Sequence, residues 1–103
     1  MSKKQLKHIV LFRFNDSANE AYLEQIHTQL MALQDTVDEL QAIEGGTDAS
    51  TENLNDGFSH CYIMTFASIA DKDSYLQHAS FQAFGDLLKQ NLEKIMVMDY
   101  WTE

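Results

Sequence analysis

Between Gln5 and Phe14 (QLKHIVLFRF), Leu6, Val10, Phe12 and Phe14 share one parity, while Ile9 and Leu11 share the other. A period of two predicts a strand, apolar on both faces over its centre. Ser17-Ala18-Asn19-Glu20 fits a capping box, a hydroxyl for an orphan N–H and a glutamate three residues on. The helix it predicts carries Leu23, Ile26, Leu30, Leu33 and Val37 at three- and four-residue steps, with Glu20, Glu24, Gln25 and Thr28 left to water. A short strand is expected near Leu40 to Glu44, followed by a turn at Gly45-Gly46 and a polar loop ending at Gly57. Ser59 to Phe66 predicts a third strand, with His60, Tyr62, Met64 and Phe66 on one face and Cys61, Ile63 and Thr65 on the other. Ser68-Ile69-Ala70-Asp71 opens a helix that runs to about His78, and the next helix carries Phe81, Phe84, Leu88 and Leu92. Glu93 to Trp101 closes the chain as a strand apolar on both parities.

The order β-α-β-β-α-α-β, without repeat or linker, predicts a single α+β domain over residues 1–103: a four-stranded antiparallel sheet with helices on one face. Helices on one side leave Ile9, Leu11, Cys61, Ile63 and one parity of the last strand bare. Such a patch is larger than monomers usually expose, and packing two sheets face to face in a closed homodimer covers it.

Charge narrows the partners. Seven basic residues against sixteen acidic ones give a formal net charge of −9. Four of the basic residues, Lys3, Lys4, Lys7 and Arg13, precede Phe14, so the rest of the chain is still more acidic. A field of that sign repels phosphate backbones and anionic lipid, so neither nucleic acid nor membrane is an expected partner. Lys7, His8 and Arg13 interrupt the apolar start, which argues against a signal peptide. The lone Cys61 cannot form an intramolecular disulfide and suits a reducing cytoplasm. The four histidines lack any His-Glu-x-x-His spacing, and no glycine-rich phosphate loop is present, so neither a metal nor a cofactor is expected.

Four segments carry a family resemblance: Lys7-His8-Ile9-Val10-Leu11-Phe12, Asn55-Asp56-Gly57-Phe58-Ser59-His60, Asp73-Ser74-Tyr75-Leu76-Gln77-His78 leading into Phe84, and Val97-Met98-Asp99-Tyr100. Over essentially its whole length the chain resembles the stress-responsive A/B barrel (Dabb) family. The resemblance implies a ferredoxin-like, dimeric α+β barrel. It also implies a pocket between sheet and helices lined by His8, Val10, Phe12, His60, Tyr62, Tyr75, His78, Phe81 and Phe84. Some plant members of that family are polyketide cyclases that use a tyrosine and the second histidine of a His-Pro-x-His motif. Tyr75 matches the tyrosine. The motif here reads His78-Ala79-Ser80-Phe81, so its first histidine is present while the proline and the second histidine are replaced, and Phe81 can neither accept nor donate a proton. Apart from the pocket, His78 is placed to cap the following helix, and His27 flanks the apolar stripe of the first helix. Two functions follow as expectations: a homodimeric module binding a small apolar or aromatic ligand, or a cyclase-like or lyase-like enzyme with Tyr75 as proton donor and His60 or His8 as base.

Overall fold

A computed structural model describes residues 4–103; Lys3, part of the basic start, lies outside them. The chain runs β1 (Leu6–Phe14), α1 (Glu20–Thr36), β2 (Ala42–Thr47), β3 (His60–Phe66), α2 (Ile69–Gln77), α3 (Ala79–Lys89) and β4 (Leu92–Trp101). All neighbouring strands are antiparallel, in the order β2-β3-β1-β4. The fold is therefore the α+β arrangement that the element order predicts, and the ferredoxin-like one that the resemblance implies.

Three local expectations are corrected. Leu92 does not continue the stripe of α3, which ends at Lys89, but begins β4. The cap of α1 is Asn19, whose Oδ1 accepts from Tyr22 N at 2.8 Å. Ser17 is unavailable because residues 15–18 form a turn, in which Ser17 N donates to Asn15 Oδ1 and Ala18 N to Asn15 O. Strand β2 lies later than Leu40–Glu44 because Leu40 is buried in a turn, its N–H donating to Val37 O at 3.1 Å. Gly45 and Gly46 are accordingly not a turn but part of the strand, paired with Tyr62 and Cys61. The other caps stand as expected: Ser68 Oγ accepts from Asp71 N at 3.1 Å, and His78 Nδ1 from Ser80 N at 3.0 Å.

Alternation decides the layers. Leu6, Val10 and Phe12 of β1 and Tyr62, Met64 and Phe66 of β3 are buried beneath Ile26, Leu30 and Leu33 of α1 and Phe84 and Leu88 of α3. Tyr22 extends the stripe and ties α1 to the end of α3, its hydroxyl 2.9 Å from both Leu87 O and Leu88 O. These carbonyls belong to the last turn, where intrahelical donors run out. On the opposite face, Ile9 pairs with Ile63 and Met98, and Leu11 with Cys61 and Met96. Edge strand β4 is exposed on both sides: Met98 is 64% accessible on the bare face and Val97 49% on the helix side. Among the described residues no helix is long and apolar enough to cross a membrane.

Candidate functional site

Because the helices stop short of β4, a gap remains between α2, α3 and the β1–β4 pair. It is a cavity of about 240 Å³, walled by apolar side chains including Val10, Phe12, Leu30, Phe84 and Leu88. Four polar residues also line it: His8, Lys72, Tyr75 and Asp99. Antiparallel pairing sets His8 of β1 directly across from Asp99 of β4. His8 Nδ1 lies 2.6 Å from Asp99 Oδ1, and Lys72 Nζ donates to Asp99 Oδ2 at 2.8 Å. Burial pushes the Asp99 carboxyl upward, but hydrogen bonds from Lys72 and His8, with their charges, outweigh it and leave the pKa below the usual carboxylate range. An ionised carboxylate only accepts, so Nδ1 is the donor, and in the neutral form of the ring Nε2 is the bare acceptor.

Tyr75 is buried in an aromatic cluster, its ring centroid 4.7 Å from Phe81, 5.2 Å from Phe66 and 6.5 Å from His8. Burial raises the pKa of its phenol, which stays protonated throughout the physiological range. Among the described residues the only sealed side-chain polar atom without a partner is Arg13 Nε. Among the described residues neither the Tyr75 hydroxyl nor His8 Nε2 has a hydrogen-bond partner, and neither is sealed, so both atoms of these two lining residues are free to meet a bound molecule. The site thus offers one acceptor and one donor in an apolar surround, a combination chemically suited to an oxygen-bearing molecule and to proton transfer.

Of the residues expected to share one pocket, His8, Val10, Phe12, Tyr75, Phe81 and Phe84 line this cavity. His60, Tyr62 and His78 do not, and the first and last of these have other local roles. His8 faces Met64, four residues along β3 from His60, so the two positions lie about 13 Å apart along the strands. His60 instead borders a shallow depression with Glu20, Glu24 and His27, its Nδ1 2.7 Å from Ser59 Oγ. Tyr62 is core; its hydroxyl shares a 2.7 Å hydrogen bond with His27 Nδ1, and burial pushes it up to about 12. His27 is therefore more than a boundary residue. His78 caps α3.

Neither Lys72 nor Asp99 is among the residues that the sequence points to as a site. A signal for each is present: Asp99 is the one charged residue between Ile95 and Trp101 of an apolar strand, and Lys72 lies three residues before Tyr75, on the same helix face. A larger open groove of about 590 Å³ lies under the 48–58 loop on the bare sheet face and contains none of these four groups. Among the described residues no group of three His, Cys, Asp or Glu side chains is placed to hold a metal ion.

His60 makes the fold sensitive to acid. Burial, and secondarily the charge of His27, lower its pKa beneath the unfolded value of about 6.5. The unfolded chain therefore binds the proton more readily, and stability present above pH 6.5 is lost as pH falls from there towards the folded value. Thermal unfolding is expected at lower temperature at pH 5.5 than at pH 7.5, with a shallower dependence in His60→Gln. Parallel profiles for the two proteins would refute this assignment.

Residues 6–102 match the model of the stress responsive A/B barrel domain, Dabb. Olivetolic acid cyclase of Cannabis sativa is 26% identical, over 92% of this chain and 94% of that protein. Among solved structures, hydroxynitrile lyase from Passiflora edulis superposes with a TM-score of 0.89 at 28% identity, covering 99% of this chain and 96% of the other. A ferredoxin-like protein of unknown function from Thermobifida fusca, described as dimeric, superposes at 0.84 with 21% identity, over 97% and 92% of the two chains. With the family model spanning nearly the whole domain, and the fold and cavity as described, the chain belongs to the stress responsive A/B barrel (Dabb) family.

Proposed function

We propose that the chain is a homodimeric binding module whose cavity takes a small, largely apolar molecule carrying one carbonyl or hydroxyl oxygen. The observation that carries this reading is the pair of open polar atoms, His8 Nε2 and the Tyr75 hydroxyl, in an otherwise apolar cavity. About 240 Å³ is below the 300–1,000 Å³ of drug-sized ligand sites, which suits roughly a single ring with short substituents. Phe81 and Phe84 line this space without filling it. Dimerisation is supported by the bare apolar face around Ile9 and Ile63 and by dimeric relatives of the same fold.

Acetophenone, with ethylbenzene as its apolar counterpart, tests the binding reading by ligand-observed NMR. Tyr75→Phe is expected to weaken acetophenone about two- to tenfold, the net worth of one hydrogen bond of about 0.5–1.5 kcal/mol, and to leave ethylbenzene unchanged. Equal losses for both, or no saturable binding of either, would count against it.

Proton transfer is the second reading, favoured by the 2.6 Å bond between His8 and Asp99. At the position that the resemblance assigns to the general base stands Phe81, whereas the histidine that shares the cavity with Tyr75 is His8. In this reading His8 Nε2 removes a proton alpha to a carbonyl while Tyr75 hydrogen-bonds the oxygen that gains negative charge. Such chemistry fits relatives called a cyclase and a lyase. Exchange of the methyl protons of acetophenone for deuterium in D₂O, abolished in His8→Ala, is the expected result; exchange no faster than in buffer refutes this second reading.

A further inference from the structure

Lys72 lies on α2, Asp99 on β4 and His8 on β1, so three elements meet in one chain of hydrogen bonds at the rim of the cavity. Both carboxylate oxygens are used, Oδ1 by His8 and Oδ2 by Lys72. The Asp99 side chain is 27% exposed, against 17% for Lys72 and 7% for His8. A carboxylate that exposed on an edge strand has water available as an alternative partner. With only the imidazole to hold it, it has at least two arrangements: turned in towards Nδ1 or turned out to solvent. The ammonium removes the second. It anchors the outer oxygen from the facing helix, across the mouth of the cavity, with a charge-assisted bond about twice as strong as a neutral one.

We infer that Lys72 is the positioning residue of the site: by pinning Asp99 between α2 and β1 it holds His8 as the Nδ1–H tautomer and leaves Nε2 as the acceptor facing the cavity. The inference deepens the function proposed above, since that reading needs Nε2 unprotonated. The chemistry is that of a histidine oriented through a hydrogen-bonded carboxylate, here with the carboxylate itself held by a cation. Lys72 is specific to this role because its stem spans from the helix to the strand and its charge compensates Asp99. The rim is left without net charge, so the ligand is neutral rather than carboxylate-bearing. An acid of the same shape, benzoate, meets an ammonium already occupied by Asp99 and the Asp99 carboxylate itself beside it.

Imidazole nitrogen spectra of the ¹⁵N-labelled full chain, recorded without ligand at neutral pH, test the inference directly. Wild-type His8 is expected to show a single pattern with Nδ1 protonated and Nε2 bare. Lys72→Met keeps most of the aliphatic stem and is expected to lose that single pattern in favour of a tautomer mixture; Lys72→Arg, which restores a cation, is expected to regain it. The unchanged His27–Tyr62 and His78 ring signals report that the fold is intact. A wild-type His8 protonated at Nε2, or a Lys72→Met spectrum identical to wild type, overturns the inference, and the first of these needs no variant to fold. These spectra are independent of acetophenone binding, so failure of the ligand test and failure of the positioning role are separately visible. Ligand binding supplies the matching functional arm: acetophenone is expected to bind more tightly than benzoate to wild type, and Lys72→Met to weaken acetophenone without affecting ethylbenzene. Loss of both ligands together would mark Lys72 as merely structural and overturn the proposal.

Discussion

Gly45→Ala is expected to lower the unfolding midpoint by about 15 °C or more, while Gly46→Ala, one residue away, leaves it nearly unchanged. A Cβ at Gly45 would stand 2.2 Å from Cys61 O and 2.7 Å from Tyr62 Cα. Both atoms are backbone of the adjacent strand, which cannot swing aside as a side chain can. The φ of +151° adds strain for any L residue. Overpacking and backbone strain together come to about 3 kcal/mol or more. Each kcal/mol lowers the midpoint of a domain this size by about 4–8 °C. The outcome bears on the site because Tyr62, whose ring edge lies 2.6 Å from the same Cβ position, is the core residue tying β3 to His27 of α1. At Gly46 a Cβ meets nothing within 4 Å. Denaturant or thermal melts of both variants check the contrast; equal midpoints would show that β2 shifts to accommodate the methyl group.

Ile63→Asp is expected to convert a dimer into a monomer or an unfolded chain. Ile63 pairs with Ile9 at the centre of the bare face, flanked across β1 by Met98. A two-fold interface on this face buries the new carboxylate twice, without a counter-ion from the apolar neighbours. At roughly 3 kcal/mol per desolvated, unpaired charge the pair costs about 6 kcal/mol, or roughly 10⁴-fold in dissociation constant. Light scattering of the wild type is expected to return about twice the 11.8 kDa chain mass, and of Ile63→Asp the single mass or loss of folded signal. A wild-type monomer at micromolar concentration would reject the dimer. A mutant dimer as tight as wild type would place the interface elsewhere, for example along the exposed edge of β4.

The two variants show different degrees of legibility. Ile63 was assigned to the bare face from parity alone, because successive strand side chains point to opposite sides whatever the strand pairs with. The same local rule placed His8, Val10 and Phe12 inward, and spacing of three and four placed Ile26, Leu30 and Leu33 on the core side of α1. Gly45 was misread. Two consecutive glycines are a turn signal in isolation, and only the proximity of the β3 backbone shows that this strand position admits no Cβ.

By itself the sequence determined the order of the elements, the inward faces of β1, β3 and α1, the α+β class and the inward parity of His8. These are properties of neighbours along the chain, set by backbone periodicity and capping. Register was left to the tertiary structure. Residues 8 and 99 are 91 positions apart, and their meeting depends on β1 lying between β3 and β4 with a particular hydrogen-bond alignment. The same alignment carries His60 away from His8 along the strands, although both share the inward face. Parity gives a side chain its face but not its height along the strand. Height is decided by how strands slide against one another until the core beneath the helices closes, and it is height that brought His8 and Asp99 together, within reach of Lys72 on α2, and sent His60 elsewhere.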